Sequence, residues 1–159
     1  MVIPCRPFFI ALTSMIIRER FMTASAFLSP VLALIIWTLL IWVLMYARRI
    51  PAMQAAKIDP DTAKSPDGKW KEELPLSVQA SAHNYNHLLE QPTIFYALMF
   101  YITLTTQMSS PIFYAAWTYV VLRVLHSFIQ VSSGKVMIRF TLFSFSTIIL
   151  MAMVVMTLL

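Results

Sequence analysis

The sequence has little of what a soluble enzyme domain carries on its surface. Only 12% of its 159 residues are charged, against about 25% in an average soluble domain, and only two are glycine. A single cysteine, Cys5, excludes an internal disulfide framework and a metal site made of several cysteines. The length also leaves no room for a soluble domain beside the long apolar segments.

Apolar residues dominate instead, at 59% of the chain, and the mean hydropathy is +0.73. Four apolar segments each reach the roughly 20 residues that a helix needs to cross a bilayer. We therefore predict an all-α fold, an integral membrane four-helix bundle, with one domain over residues 22–159. The predicted spans are residues 27–47, 78–107, 112–132 and 136–158.

Turn residues separate these spans. Pro51 follows the first span, where we expect it to stop the helix. Residues 48–77 are rich in proline and mixed charge and predict a loop outside the bilayer. A Ser-Ser-Pro sequence at 109–111 predicts the start of the third helix, and Ser-Ser-Gly at 132–134 predicts a tight turn.

The distribution of positive charge predicts the orientation of the bundle. The chain has a net charge of +5, but the basic residues lie beside the spans rather than in a soluble patch, which argues against nucleic acid as a partner. Six Lys or Arg residues fall in the 48–77 loop and two more, Lys135 and Arg139, near the last turn. Because basic connections stay in the cytoplasm, both should be cytoplasmic, with both termini on the other side.

Residues 1–21 form an N-terminal extension that fits no single interpretation. An apolar stretch from 7 to 17 precedes small residues at 24–26, as in a signal peptide, but Arg18-Glu19-Arg20 interrupts it. The alternatives are an amphipathic surface segment or a translation start at Met22. The predicted membrane domain begins at residue 22 under either alternative.

Two charged residues lie inside predicted spans, Glu90 in the second and Arg123 in the third. A charge in a membrane helix costs about 2.5 kcal/mol or more, so it usually faces a partner or a cavity. One interpretation is an internal ion pair that fixes the helix register. The other is that Glu90 and Arg123 line a ligand cavity, and the sequence favours neither.

Further polar residues share a helix face with Glu90 in the second span and with Arg123 in the third. His83, His87 and Glu90 follow at i, i+4 and i+7, a spacing that also suits zinc or iron. Polar residues are ordinary in membrane-proximal turns, however, and we predict no metal site. The third helix places Arg123, His126 and Gln130 at i, i+3 and i+7, so we expect the two polar faces to meet.

Two segments carry a family resemblance. AHNYNHLLEQPTIFYAL at 82–98, and AWTYVVLRVLHSFIQ at 116–130 followed by Arg139, resemble the second, third and fourth helices of bacterial members of the MAPEG family, membrane-associated proteins in eicosanoid and glutathione metabolism. The resemblance covers about residues 22–158. It implies a four-helix subunit in a homotrimer, in a bacterial inner membrane, with glutathione bound between subunits near the cytoplasmic face.

The resemblance also implies site residues. Arg139 corresponds to the arginine that stabilises the glutathione thiolate, and is the expected catalytic residue. His87 stands where the family's enzymes have Asn, His83 and Asn86 stand where they have arginines, and Gln130 replaces a tyrosine. The residues expected to bind glutathione are Arg48, Arg49, His87, Glu90, Arg123, His126 and Gln130.

Two functions follow from these matches. The first is a glutathione transferase or peroxidase that uses glutathione as co-substrate against lipophilic electrophiles or hydroperoxides. Arg139 would favour the thiolate, Arg48 or Arg49 would bind the tripeptide's carboxylates, and Glu90 its amine. The second is a non-catalytic membrane protein that binds lipid or a partner membrane protein, in which these arginines contact anionic headgroups.

Overall fold

The computed structural model describes residues 22–61 and 68–159, and the regular structure in these ranges is entirely helical. The all-α prediction is therefore confirmed, while the alternatives for residues 1–21 lie outside the described residues. A helical turn, Ala24–Phe27, precedes the first long helix, and a 3-10 turn, Lys69–Lys71, precedes the second. The four long helices are α1 Ser29–Ala55, α2 Leu76–Leu104, α3 Ser110–Ser132 and α4 Val136–Leu158.

Three of these helices, α1, α3 and α4, are long and apolar enough to cross a membrane. The sequence predicted four such spans, and α2 differs from the other three: its 29 residues are long enough, but polar side chains occupy much of its first half. It packs against both α1 and α3, so its polar face can turn toward protein instead of lipid. The chain is thus an integral membrane helical bundle in which α2 carries more polar residues than any of the other three long helices.

The first helix is longer than we predicted. Pro51 does not stop α1, which continues to Ala55 with Pro51 inside it. Proline removes one amide donor, and the carbonyl of Ala47 loses its partner as a result. Both residues are exposed, so water can hydrate that carbonyl near the end of the helix. The helix ends where Lys57 adopts a positive φ of 54°.

The starts of α3 and α4 follow the sequence signals, while α2 begins two residues earlier and ends three residues earlier than the predicted range 78–107. Helix α3 starts at Ser110 with proline in its first turn, as the Ser-Ser-Pro sequence predicts. The turn before α4 is also confirmed. Gly134 has a φ of 63°, and its amide donates 2.9 Å to the carbonyl of Ile129. Glycine adopts this left-handed conformation without the steric cost that a Cβ imposes.

Arg48 shows that the long loop and the Gly134 turn share one end of the bundle. Its Nη1 donates to the Ser77 carbonyl at 3.4 Å, to Ser81 Oγ at 3.0 Å and to the Val131 carbonyl at 3.2 Å. These contacts join the end of α1 to the beginning of α2 and the end of α3. We call this the basic end of the bundle, because it carries Arg48, Arg49, Lys57, Lys71, Lys135 and Arg139.

Candidate functional site

An open cavity of about 520 Å³ lies at the basic end of the bundle, within the size range of small-molecule sites. Most of its wall is one face of α2, with residues recurring at the three- and four-residue spacing of a helix stripe. The end of α3, the following turn and the first turn of α4 supply the rest. The lining residues are Leu76, Gln79, Ala80, His83, Asn86, His87, Glu90, Gln130, Gly134 and Arg139.

Four of the residues predicted to form the site line this cavity: His87, Glu90, Gln130 and Arg139. They come from three helices and are up to 52 positions apart in sequence (139 − 87). Arg139 is half-buried and lines the cavity, although its Nε is a buried atom without a hydrogen-bond partner. Glu90 is exposed, and its carboxylate supplies the opposite charge.

Arg123 and His126 lie behind the cavity wall and contact it through His87. The Arg123 side chain is fully buried, and its Nη2 donates to both Nδ1 and the carbonyl oxygen of His87, each at 2.9 Å. The ring of His126 stacks on the ring of His87 with centroids 4.9 Å apart and planes inclined by 22°. The expected contact between the polar faces of α2 and α3 is therefore present.

Phe143 on α4 closes this cluster, and the sequence reasoning did not identify it. The Arg123 guanidinium carbon lies 5.5 Å from the centre of the Phe143 ring, within cation–π range. The same ring meets His87 edge-on at 5.2 Å and His126 at 6.2 Å. Its position four residues after Arg139, on the same face of α4, was the available signal.

The ion-pair interpretation of Glu90 and Arg123 is wrong, and the prediction that both residues line a cavity is confirmed for Glu90 alone. The Nη2 of Arg123 bonds to His87, and neither Nε nor Nη1 has a hydrogen-bond partner. Glu90 instead points its exposed side chain to the cavity. A carboxylate at this depth retains solvent, because the cavity is open, and so needs no buried cation to offset its charge.

Several other buried polar atoms in this region lack a protein partner. They include donors and acceptors, and direct bonds between them do not form. Buried polar groups in proteins are almost always satisfied, so these unpaired atoms set the region apart from the rest of the described bundle. Besides those of Arg123 and Arg139, the atoms are Asn84 Oδ1, His126 Nδ1 and Gln130 Oε1.

The two arginines at the end of α1 do not reach this cavity. Arg48 is engaged in the three contacts that join the helices. Arg49 stacks on Trp70, with the guanidinium carbon 4.6 Å from the ring centre, and lines a second cavity of about 310 Å³. That cavity lies between α1, the loop and α2, on the other side of His83 and Asn86, which line both.

A polar junction outside the predicted site joins three helices. The hydroxyl oxygen of Ser127 accepts from Trp37 Nε1 at 2.9 Å and from Asn84 Nδ2 at 2.6 Å. Such bonds hold membrane helices in register where apolar contacts alone do not distinguish helix from lipid. Ser127 directly follows His126, so this junction also fixes the part of α3 that faces His87.

Within residues 22–61 and 68–159, no group of three or more His, Cys, Asp or Glu side chains is placed to hold a metal ion. The described cavity thus offers one guanidinium, one carboxylate, imidazoles and amides for a ligand. Such a set suits a small zwitterionic molecule with several hydrogen-bonding groups.

Comparison with known proteins agrees with the resemblance seen in the sequence. No curated protein and no solved structure matches the chain. Among protein families, however, the MAPEG family matches residues 27–159, a range that contains all four long helices and every residue of the cavity. The match extends over most of the 159 residues. The chain belongs to the MAPEG family.

Proposed function

We propose that the protein is a membrane-bound glutathione transferase or peroxidase that acts on lipophilic electrophiles or hydroperoxides. The supporting observation is that Arg139 and Glu90, which are far apart in sequence, line one open cavity at the basic end of the bundle. The family as a whole is associated with glutathione and eicosanoid metabolism. The cavity offers one guanidinium and one carboxylate, which suit the thiolate and the free amine of the tripeptide.

Arg139 is the proposed catalytic residue. The thiol of glutathione is mostly protonated at neutral pH, and a nearby guanidinium favours loss of the proton to solvent. The thiolate sulfur then attacks an electrophilic carbon, so that a carbon–sulfur bond forms and the leaving group departs with its electron pair. Arg139 lines the cavity, so its guanidinium is the group proposed to make this contact.

The remaining polar groups would orient the tripeptide. The carboxylate of Glu90 suits its free amine, while His87 and Gln130 provide hydrogen bonds from the inner wall. Arg48 and Arg49 lie outside the cavity of their own chain. A homotrimer that places the cavity at a subunit boundary would provide a second cation for the tripeptide's carboxylates, and we propose this assembly.

The alternative function is a non-catalytic protein that uses the bundle to bind lipid or a partner membrane protein. It is favoured by His83 and Asn86, which line the cavity at the positions where the family's enzymes have arginines. Two fewer cations weaken the attraction for an anionic tripeptide. The two functions thus differ in whether the cavity binds glutathione at all.

Calorimetry with the purified protein in lipid nanodiscs, titrated with glutathione to millimolar concentration, tests the proposal directly. We expect saturable binding, together with consumption of glutathione by a panel of apolar electrophiles and lipid hydroperoxides. If glutathione neither binds nor reacts with any of them, the enzyme proposal fails. Binding without turnover would support a glutathione-binding protein that is not a transferase or peroxidase.

We also propose a bacterial inner membrane as the location, with the basic end in the cytoplasm. A Cys5→Ser background allows single cysteines to be placed at the exposed positions Glu72 and Lys135 at the basic end, and at Gln107 at the opposite end. An impermeant maleimide added to spheroplasts should label only the Gln107→Cys protein. Labelling of Glu72→Cys or Lys135→Cys would contradict this orientation.

A further inference from the structure

The contact between Arg123 and His87 determines where His87 carries its proton. The distance from Arg123 Nη2 to His87 Nδ1 is 2.9 Å, which is a full hydrogen bond. A guanidinium has five N–H donors and no acceptor, so Arg123 must donate. His87 Nδ1 must therefore accept through its lone pair, and it cannot carry a proton of its own.

An imidazole whose Nδ1 is an acceptor has one remaining form, the neutral ring with its proton on Nε2. The doubly protonated ring is excluded because it would turn two N–H groups toward each other. Two further contacts fix the plane of the ring, namely the stack on His126 and the edge contact with Phe143. The second Arg123 bond, to the backbone carbonyl of His87, holds the guanidinium beside the ring.

The Nε2 atom is the part of this ring that is available to a ligand. It has no hydrogen-bond partner among the described residues, and it is absent from the buried polar atoms that lack one. It is therefore accessible, and His87 lines the large cavity. Because Nδ1 and Nε2 point away from each other on the ring, a bond from Arg123 on the inner side leaves Nε2 directed elsewhere.

We infer that Arg123 acts as a positioning residue that holds His87 as a neutral donor, whose Nε2–H group binds an oxygen acceptor of the ligand in the cavity. The acceptor class is an amide carbonyl or a carboxylate. The identification of that ligand as glutathione rests on the proposed function. The protonation of His87 does not, because it follows from contacts within the protein alone.

The protonation state can be measured without any ligand. Protein with ¹⁵N-labelled histidine in lipid, examined by long-range nitrogen–proton correlation, distinguishes the two neutral forms and the cation. His87 should show a bare Nδ1 and a protonated Nε2. His83, which is exposed and one turn away on the same helix, is the internal control. A His87 signal with protonated Nδ1 would overturn the inference whether or not glutathione binds.

Two substitutions of His87 test the donor role. His87→Gln retains an amide N–H near the position of Nε2, while His87→Phe retains the ring and its contacts with His126 and Phe143 but has no donor. We expect His87→Phe to weaken glutathione binding about five- to tenfold, the effect of one lost hydrogen bond, and His87→Gln to restore most of it. Equal binding by the two variants would contradict a donor at this position.

Arg123→Gln separates positioning from simple stability. This variant should remain folded while the His87 signal becomes a mixture of the two neutral forms, because the charged donor is gone. If Arg123→Gln does not fold, Phe143→Leu loosens the same guanidinium without removing it and should broaden the His87 signal. An unchanged His87 protonation pattern in a folded Arg123→Gln protein would disprove the positioning role.

Discussion

The two halves of the bundle differ in the polarity of their buried residues. Toward the basic end the buried residues include Ser81, Asn84, Arg123, His126, Ser127 and Gln130. Toward the opposite end the core contains Phe27, Phe95, Met99, Ile102, Ile112 and Ala116. The unpaired buried polar atoms of the described residues all belong to the polar half or to Arg139 beside it. The difference indicates that close apolar packing stabilises one half, while the other half contains polar groups that the hydrogen bonds of the chain leave partly unsatisfied.

Truncating a buried side chain in the apolar half should have the largest effect on stability. Phe95 is fully buried and stacks on Tyr119 with ring centroids 4.5 Å apart. Phe95→Ala leaves a cavity between α2 and α3 and should lower the free energy of unfolding by about 3–5 kcal/mol, measured by denaturant titration in mixed micelles. Phe100→Ala, half-exposed on the same helix, is the control and should cost much less. Glutathione affinity per folded molecule should not change in either variant.

Removing the Arg139 guanidinium beside the polar half should affect turnover rather than stability. Arg139→Ala should reduce conjugation of glutathione to an apolar electrophile about 100-fold or more, because the thiolate loses its main stabilising charge. Oligomeric state and melting temperature should barely change, since Arg139 is only half-buried at the end of the bundle. Lysine should rescue poorly, because it lacks the planar guanidinium.

The control for this experiment is Lys135→Ala, which removes an exposed cation one turn earlier at the start of α4. Lys135 is not among the residues that line the cavity. Conjugation by Lys135→Ala should therefore stay near the unmodified level. Equal losses in the two variants would show that general positive charge, rather than Arg139 itself, supports turnover.

A double-mutant cycle can determine whether His87 or Glu90 is the partner of the buried Arg123. Arg123→Gln and His87→Phe, combined, should show a coupling energy of about 0.5–3 kcal/mol in unfolding experiments. Arg123→Gln combined with Glu90→Gln should show a smaller coupling, because the structure contains no Glu90–Arg123 hydrogen bond. The opposite ranking would restore the ion-pair interpretation.

The smallest expected losses of stability are those for substituting the neighbouring arginines of α1, Arg48 and Arg49. Arg48→Ala removes the contacts with Ser77, Ser81 and Val131 and should lower stability by about 1–2 kcal/mol. Arg49→Ala loses a half-buried stack on Trp70, for which we expect about 0.5–1 kcal/mol. Thermal unfolding of the two variants side by side gives the ranking, and a larger loss for Arg49→Ala would contradict the joining role of Arg48.

Sequence reasoning predicted the number of long helices and most of their ends, because these depend on local signals. Segment length, charge placement and the Gly134 turn all act within a few residues. The largest difference from the predicted helix ends is at Pro51, which does not stop α1. A proline near an exposed helix end removes the hydrogen bond of one carbonyl, and water can bind that carbonyl instead, so α1 continues to Ala55.

The partners of the buried polar groups were harder to predict. Spacing placed His87 and Glu90 on one face of α2, and Arg123 and His126 on one face of α3, but it did not determine which pair meets. Electrostatic attraction alone favoured Glu90 with Arg123. The rotation of the two helices, set by packing along their whole length, turned Glu90 to the cavity and His87 to the guanidinium. The contribution of Phe143 likewise depends on the placement of α4.

The Ser127 junction has a consequence for spectroscopy. Its hydroxyl oxygen binds the indole nitrogen of Trp37 and the amide of Asn84, which lies one turn from His87 on α2. A ligand that displaces this turn of α2 therefore changes the polarity around the Trp37 indole, although Trp37 lines neither described cavity. With the other three tryptophans replaced by phenylalanine, the fluorescence of Trp37 reports any ligand that moves this turn, without an attached dye.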